Sequence, residues 1–148
     1  MILFNPLPGR LVSRINGVEV YETLCITEFT EEEFKNIPNL ALVVVPSNNE
    51  HEELKYLGGL LYFYNNGMEL TGGTGVSLSF GDVITSNSIG AVTFLGDSTV
   101  VQLPSTEPPE QTKGVPLTLT AENPIPFEGG NKSSSITCVV VYSRTVTL

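Results

Sequence analysis

The last sixteen residues, Ser133–Leu148, constrain the fold more than any other segment of the chain. They are rich in β-branched side chains and contain neither glycine nor proline, a composition typical of a long β-strand. Side chains of a strand alternate between its two faces. One face would carry Ile136, Cys138, Val140, Tyr142, Val146 and Leu148, and the other would carry Val139 and Val141 among hydroxyl residues. Because its middle is apolar on both faces, we predict that this strand lies inside a sheet.

Turn signals divide the rest of the chain into short extended segments. Asn16-Gly17 is a two-residue connection typical of a type I′ hairpin, and Asn65-Asn66-Gly67 is a second hairpin signal. The segments recur about every ten residues, a density typical of an antiparallel sandwich. A chain of 148 residues also fits one domain. We therefore predict a single all-β domain over residues 1–148, an antiparallel β-sandwich of jelly-roll type with about nine to ten short strands.

Two segments between the turns carry further local signals of secondary structure. Thr30-Glu31-Glu32-Glu33 has the spacing of a capping box, in which a threonine is followed three residues later by a glutamate. We predict one short helical turn there. Ala91–Leu95 is apolar and is followed by Gly96-Asp97, so we predict a strand over these residues.

The charge balance and the cysteines narrow the choice of partners and compartment. Sixteen acids against seven scattered bases give a formal net charge of −9, a surface that repels phosphate backbones, so we expect no nucleic-acid partner. No apolar run approaches the ~20 residues of a membrane span, so we expect no membrane partner. The opening residues lack the features of a secretory signal, which favours synthesis in a cytoplasm. Cys25 and Cys138 are then expected to be free and buried, with a disulfide as the alternative if their strands are neighbours.

The chemistry-bearing residues do not combine into a catalytic motif. His51 is the only histidine, so neither a two-histidine metal centre nor a structural zinc site can form within one chain. Ser86-Asn87-Ser88-Ile89-Gly90 is similar to a nucleophile elbow, but a strand is predicted where that motif needs a helix. Asp82 and Asp97 each follow a glycine, as ordinary turn residues do. We therefore predict no enzymatic activity, no catalytic residue, no metal and no cofactor.

Two further clusters have plain structural interpretations. The glutamates Glu28 and Glu31–Glu33 lack the alternating oxygen ligands and the glycine of a calcium loop, so we interpret them as a solvated acidic face. Tyr62 and Tyr64 alternate with Phe63 and therefore share one face of a strand. Core or interface packing accounts for these rings, although they are also able to stack a sugar.

The succession of segments in the second half of the chain resembles that of a known group of proteins. It runs through Gly81-Asp82-Val83-Ile84, Val115–Thr120, Asn123-Pro124 and Gly129-Gly130 to the valine-rich Ser135–Tyr142. This succession of a penultimate strand, a glycine loop and a terminal valine/tyrosine strand resembles the small β-sandwich structural proteins on the virions of tailed bacteriophages, especially capsid decoration and head-fibre proteins. The first half of the chain does not share it.

The resemblance implies a non-enzymatic virion structural protein, synthesised in the host cytoplasm, that stabilises the particle or presents a surface. Its partners would be the major capsid protein or other virion proteins. It would act as a homo-oligomer, with a trimer as the preferred stoichiometry. The residues leave open a second function, a carbohydrate-binding module of a phage tail or a small lectin-like domain.

Residues 1–9 form a candidate docking arm. The apolar residues Ile2, Leu3 and Phe4 precede Pro6 and Pro8, whose rings keep the connection extended. Apolar side chains that stay exposed to water do not contribute the favourable free energy of burial. We therefore expect Ile2, Leu3 and Phe4 to be interface residues that pack on a neighbouring subunit. Pairing of this arm as an edge strand within its own domain is the alternative.

Overall fold

The computed structural model describes residues 2–4, 9–46, 52–106 and 112–147. Strands make up 60% of the described residues and helices 8%, so the fold is all-β, as predicted. The strands are β1 (Ile2–Phe4), β2 (Arg10–Ile15), β3 (Val18–Thr30), β4 (Leu42–Val45), β5 (Glu52–Tyr64), β6 (Leu70–Gly72), β7 (Val76–Phe80), β8 (Val83–Ile84), β9 (Thr99–Pro104), β10 (Thr112–Lys113), β11 (Leu117–Ala121), β12 (Phe127–Gly129) and β13 (Ser135–Thr147). The helical segments are α1 (Glu31–Lys35) and a 3₁₀ helix (Ala91–Leu95).

The terminal strand is the centre of the larger sheet. β13 pairs antiparallel with β3 along its whole length, from Ser135 opposite Thr30 to Thr147 opposite Val18. On its other side it pairs antiparallel with β5, from Ser135 opposite Tyr64 to Val146 opposite Glu52. The prediction of an interior strand is confirmed, because both edges of β13 are hydrogen-bonded to neighbours.

The two packed sheets have the strand order of a jelly roll. The larger sheet contains the series β3-β13-β5-β9, extended at its edges by β1, β2 and β10, and the smaller sheet has the order β4-β11-β7-β8. Most connections cross from one sheet to the other, which is the double Greek-key path of a jelly roll. The predicted jelly-roll sandwich is confirmed. The described strands of the two sheets number eleven, above the nine to ten predicted; one of the additional strands is the two-residue β10, in a segment whose sequence is typical of a surface connection.

The core lies between the inner faces of the two sheets. From the larger sheet, β13 contributes Ile136, Cys138 and Val140, all fully buried. The alternating strand β7 contributes Val76 and Leu78 from the other side. At one end of the core four phenylalanine rings are in contact, with centroids 4.8 to 5.4 Å apart. These rings are Phe34 of α1, Phe63 of β5, Phe94 of the 3₁₀ helix and Phe127 of β12.

Two local predictions are confirmed. Asn16 and Gly17 both have positive φ, at 51° and 77°, as a type I′ turn between β2 and β3 requires. Helix α1 begins at the predicted capping box: the Glu33 amide donates to the Thr30 hydroxyl at 3.2 Å, and the Thr30 amide donates to the Glu33 carboxylate at 3.0 Å.

Two local predictions are wrong. The segment after Asn65-Asn66-Gly67 does not return along β5 as a hairpin; β6 pairs instead with β12 in a separate two-stranded ribbon. Asn65 is engaged elsewhere, since its side-chain amide donates to the Gly96 carbonyl at 2.7 Å. Ala91–Leu95 forms a 3₁₀ helix rather than a strand. That turn buries Phe94 in the aromatic cluster, and tertiary packing overrides the local β propensity.

We predict that Val140→Asp destabilises the protein by more than ~3 kcal/mol, because it places an unpaired charge in the core. The matched control is Val141→Asp, the same change at the next residue of β13, where the side chain is 38% exposed on the opposite face. Urea unfolding in dilute solution measures both variants. A Val140→Asp protein as stable as the Val141→Asp control would contradict this assignment of faces.

Candidate functional surface

The outer face of the larger sheet carries a continuous apolar band. Its rows follow from the strand register, in which Leu24 lies opposite Val141 and Ile26 lies opposite Val139. Leu60 of β5 extends the Ile26–Val139 row, and Tyr62 of β5 with Val100 of β9 lie in the next row, beside Thr137. The members of this apolar band are Leu24, Ile26, Leu60, Tyr62, Val100, Val139 and Val141. All are exposed or half-buried, whereas the residues that alternate with them on β3 and β13 are buried.

The apolar side chains of this band are well exposed, both on the interior strand β5 and on the edge strand β9. Val100 is 56% exposed, and Tyr62 is 37% exposed. Contiguous apolar surface of this kind on a soluble protein marks an interaction site more often than isolated exposed residues do. As the alternation predicted, Phe63 is buried while Tyr62 and Tyr64 lie exposed on one face.

A β-bulge shapes the band beside its centre. The register between β13 and β5 shifts after Val141, which pairs with Gly58, and Tyr142 pairs with Tyr56. A Cβ built on Gly58 would meet no atom within 4 Å, and its φ of +153° is one that glycine adopts more readily than other residues. Next to it, a Cβ on Gly59 would collide with the Val139 carbonyl oxygen. Apart from its chain neighbours, of which Leu57 is 38% exposed, no residue occupies the space above Gly58 next to Val141.

A row of polar residues borders the apolar band. In register across the sheet, Arg10 lies opposite Glu22, Glu22 opposite Ser143, and Ser143 opposite Lys55. At the other end of the band Glu28 lies opposite Thr137. An apolar centre with a charged border is the usual arrangement of a protein interface.

The outer face of the smaller sheet has a different chemistry. Its central strands, β7 and β11, carry hydroxyls that are bonded within the sheet: Thr118 donates to the Ser79 carbonyl at 3.2 Å, and Thr120 donates to the Ser77 carbonyl at 3.3 Å. The Ser79 and Thr120 hydroxyls are also 3.2 Å apart. On this face the apolar side chains Val43 and Ile84 lie only on the edge strands β4 and β8, with the hydroxyls between them. The two outer faces are therefore unlike, and among the described residues a continuous apolar band is found on the larger sheet.

A polar network occupies the end of the larger sheet beyond the smaller one. The Arg144 guanidinium lies 3.2 Å from the Glu52 carboxylate and 5.0 Å from the centroid of the Tyr21 ring. The Tyr21 hydroxyl donates to Glu19, whose carboxylate is 3.4 Å from Arg14. The Tyr21 hydrogen bond, together with Arg14, lowers the pKa of Glu19, and the Glu19 carboxylate in turn raises the pKa of Tyr21. These groups satisfy one another and stabilise the strand ends.

The acidic segment is only partly solvated, which corrects the sequence interpretation. Glu31 is fully buried, and its carboxylate accepts a hydrogen bond from the Lys132 amide. Gly130 leaves the space for it, since a Cβ there would collide with the carboxylate. The Lys35 ammonium also donates to the Gly129 carbonyl at 2.7 Å. Glu31 therefore fastens α1 to the β12–β13 loop, a contact between residues about a hundred positions apart that local sequence does not reveal.

The structure does not assemble the candidate catalytic residues. The Ser86 hydroxyl is buried, accepts a hydrogen bond from the Leu78 amide at 2.8 Å and donates to the Asn87 carbonyl at 3.1 Å. Asp82 and Asp97 are exposed at turns, and His51 lies outside the described residues. Within residues 2–4, 9–46, 52–106 and 112–147, no group of three His, Cys, Asp or Glu side chains is arranged to hold a metal ion.

The two cysteines are free and buried, as expected. Cys25 lies opposite Val140 and Cys138 lies opposite Thr27, so the two thiols occupy neighbouring strands on the core face. Burial raises the pKa of Cys138 to about 12 and also raises that of Cys25. Both thiols are therefore protonated at neutral pH and act as small core side chains.

An open cleft lies between the β5–β6 connection and the segment before β9. It encloses about 330 Å³ and is lined by Asn65, Gly67, Met68, Glu69, Leu95, Gly96 and Asp97. Two carboxylates and an asparagine border it beside two exposed apolar side chains. Such a mixed lining can hydrogen-bond to the hydroxyls of a small polar ligand.

The arm residues lie at the edge of the larger sheet. β1 pairs antiparallel with β3, with Ile2 opposite Glu28, Leu3 opposite Thr27 and Phe4 opposite Ile26. This is the backbone pairing that the alternative interpretation expected. The contact of Ile2, Leu3 and Phe4 with a neighbouring subunit stays a prediction, and residues 5–8 lie outside the described residues.

Alternation in the sequence places Tyr62 on one face of its strand, and places Val139 and Val141 on the second apolar face of β13. Leu24 and Ile26 were not predicted to lie on this surface. The signal was present: Leu24-Cys25-Ile26 is apolar at three successive positions, the same two-sided pattern that identified β13.

A scan against models of known protein families finds no match to this chain, and a search of curated proteins finds no similar sequence. Both helical segments of the described residues are five residues long, so neither is long enough to cross a membrane.

We predict that Tyr21→Phe raises the pKa of Glu19 toward its ordinary value of 4.5, because it removes the largest cause of the lowering and leaves a ring beneath Arg144. A lowered folded-state pKa stabilises the protein above the unfolded value, and this contribution is lost as the pH falls. The variant should therefore lose less stability than the parent between pH 5 and pH 3, a window around that ordinary value. Carboxyl NMR titration measures the pKa, with Tyr64→Phe as control; an unchanged Glu19 pKa would contradict the network.

Proposed function

We propose that this protein is a non-enzymatic virion structural protein, a capsid decoration or head-fibre component that acts as a homo-oligomer. The observation that carries the proposal is the apolar band on the outer face of the larger sheet. A jelly roll with a continuous apolar band on one face, and with bonded hydroxyls at the centre of the opposite face, is suited to assembly through the apolar face. The architecture itself is compatible with this role, since jelly rolls form many viral capsid and lectin domains.

The hydroxyl and carboxylate groups outside the band also support a structural role rather than a catalytic one. The Ser86 hydroxyl is buried and bonded to backbone groups, and the described aspartates lie at exposed turns. A part that is present in many copies on a particle needs only weak individual contacts, because avidity multiplies them. In this proposal the partners are the major capsid protein or other virion proteins, and the protein is synthesised in the host cytoplasm and resides on the virion.

Two surfaces are available for assembly in this proposal. One is the apolar band, and the other is the edge of the larger sheet at β1, where Ile2, Leu3 and Phe4 could extend the contact to a neighbour. The trimer is carried over from the resemblance alone, and none of the described residues specifies a three-fold arrangement.

The test of the virion role is mass spectrometry of particles banded in a density gradient from lysates that carry this gene. We expect peptides of this chain to band with the major capsid protein and to remain there after nuclease treatment and salt washing. A non-structural enzyme of the same phage serves as the control for adventitious carry-over. Peptides confined to the soluble fraction would contradict the proposal.

A second candidate function is favoured by the open cleft beside Asp97. Its carboxylates and apolar side chains would suit a sugar, and this would make the protein a carbohydrate-binding module or lectin-like domain. If so, a glycan array should show binding at millimolar or better affinity, and Asp97→Asn should weaken it about tenfold by removing a charged acceptor. Asp82→Asn, at a turn outside the cleft lining, is the matched control. An array without binding would leave only the structural role.

A further inference from the structure

The strand register gives the apolar band an internal symmetry. β13 runs through its middle, with β3 on one side and β5 on the other. Outer-face residues of β3 and β5 therefore stand at equal distances from β13 in each row. The rows are Glu22 and Lys55 about Ser143, Leu24 and Gly58 about Val141, Ile26 and Leu60 about Val139, and Glu28 and Tyr62 about Thr137.

The two residues of each row are complementary to each other. Glu22 and Lys55 have opposite charges. Leu24 is a large apolar side chain, and Gly58 is a position at which a Cβ would meet no atom within 4 Å. Ile26 and Leu60 are both apolar. In the last row, a carboxylate on Glu28 faces a phenol on Tyr62, which is able to donate a hydrogen bond to it.

We propose that two copies of this chain stack the outer faces of their larger sheets about a two-fold axis that runs along β13. Such an axis places β3 of one copy over β5 of the other. The two residues of each row then meet across the interface between the copies. Glu22 of one copy meets Lys55 of the other, Leu24 projects toward Gly58, and Ile26 meets Leu60. Val139 and Val141 lie on the axis and meet their own copies. Isologous contacts of this kind are the commonest in soluble oligomers.

The area of the face is sufficient for a stable dimer. β3, β5 and β13 have 13 residues each. At about 3.4 Å per residue and about 4.8 Å between strands, these three strands cover about 640 Å², and the six-residue strands β2 and β9 beside them bring the face to about 830 Å². A standard interface buries about 800 Å² per partner. The net charge of −9 opposes association of two copies, but the centre of the band carries no charge and is therefore the least repulsive part of the surface.

The inference rests on the homo-oligomer in the proposed function and replaces the expected trimer by a dimer. It does not depend on the virion role, because it concerns the isolated chain. If the chain is a dimer in solution but its peptides are absent from particles, only the virion role is contradicted. If the chain is a monomer in solution but its peptides are found on particles, only the dimer is contradicted.

Light scattering after gel filtration of the full chain, at about 0.15 M ionic strength, tests the proposal. We expect a mass about twice the 16.0 kDa of the chain, falling on dilution. Val141→Asp should abolish the dimer and leave a folded monomer by circular dichroism. A monomer at every concentration, or a trimer, would overturn the proposal.

A charge exchange tests the orientation of the two copies. Glu22→Lys and Lys55→Glu should each weaken dimerisation about tenfold, because each places like charges in contact at two symmetry-related points. The double variant restores opposite charges and should return the dissociation constant to within about threefold of the parent. Glu128→Lys on β12, away from the larger sheet, is the matched charge control. If the double variant is as weak as the single variants, the copies do not stack about β13.

Discussion

Pairing of β13 on both of its edges is the constraint on which the rest of the structure depends. Residues 135–147 of β13 pair with β3 on one side, and residues 135–146 pair with β5 on the other, so these three long strands form one continuous layer. The inner side chains of β13 then supply one wall of the core, against which the shorter strands of the second sheet pack. Loss of this strand would remove the partner of both neighbours at once, and no other strand could pair β3 with β5.

The difference in length between the sheets explains where the polar and apolar surfaces lie. The smaller sheet, with strands of two to five residues, covers only part of the inner face of the larger one. Where the smaller sheet does not cover the larger one, a hydrogen bond, a cation–π contact and an ion pair replace core packing. These interactions join Glu19, Tyr21, Arg144 and Glu52. On the outer side no such polar substitution occurs along the middle of β13, and its valines form the apolar band with their neighbours. The same strand therefore holds the core together and carries the proposed contact surface.

Much of the fold could be predicted because its signals are local. Alternation identified β7 and β13, the Asn16-Gly17 turn fixed the first hairpin, and the Thr30–Glu33 capping box located α1. The failures involve contacts distant in sequence. Ala91–Leu95 became a 3₁₀ helix because Phe94 packs on rings from α1, β5 and β12. The local sequence predicts a solvated Glu31, because its partner, the Lys132 amide, is about a hundred residues away.

By itself the sequence determined the all-β class, the interior position of the strand that the structure places at Ser135–Thr147, and the lack of a recognisable catalytic motif, since each depends on residue types or short spacings. Only the tertiary structure decided which strands lie beside β13. That choice is made by long-range pairing, in which β3 and β5 bury their inner faces together and leave Leu24 beside Val141 and Ile26 beside Val139. The apolar band, its charged border and its symmetry about β13 exist only once these distant segments are aligned, and no local pattern specifies that register.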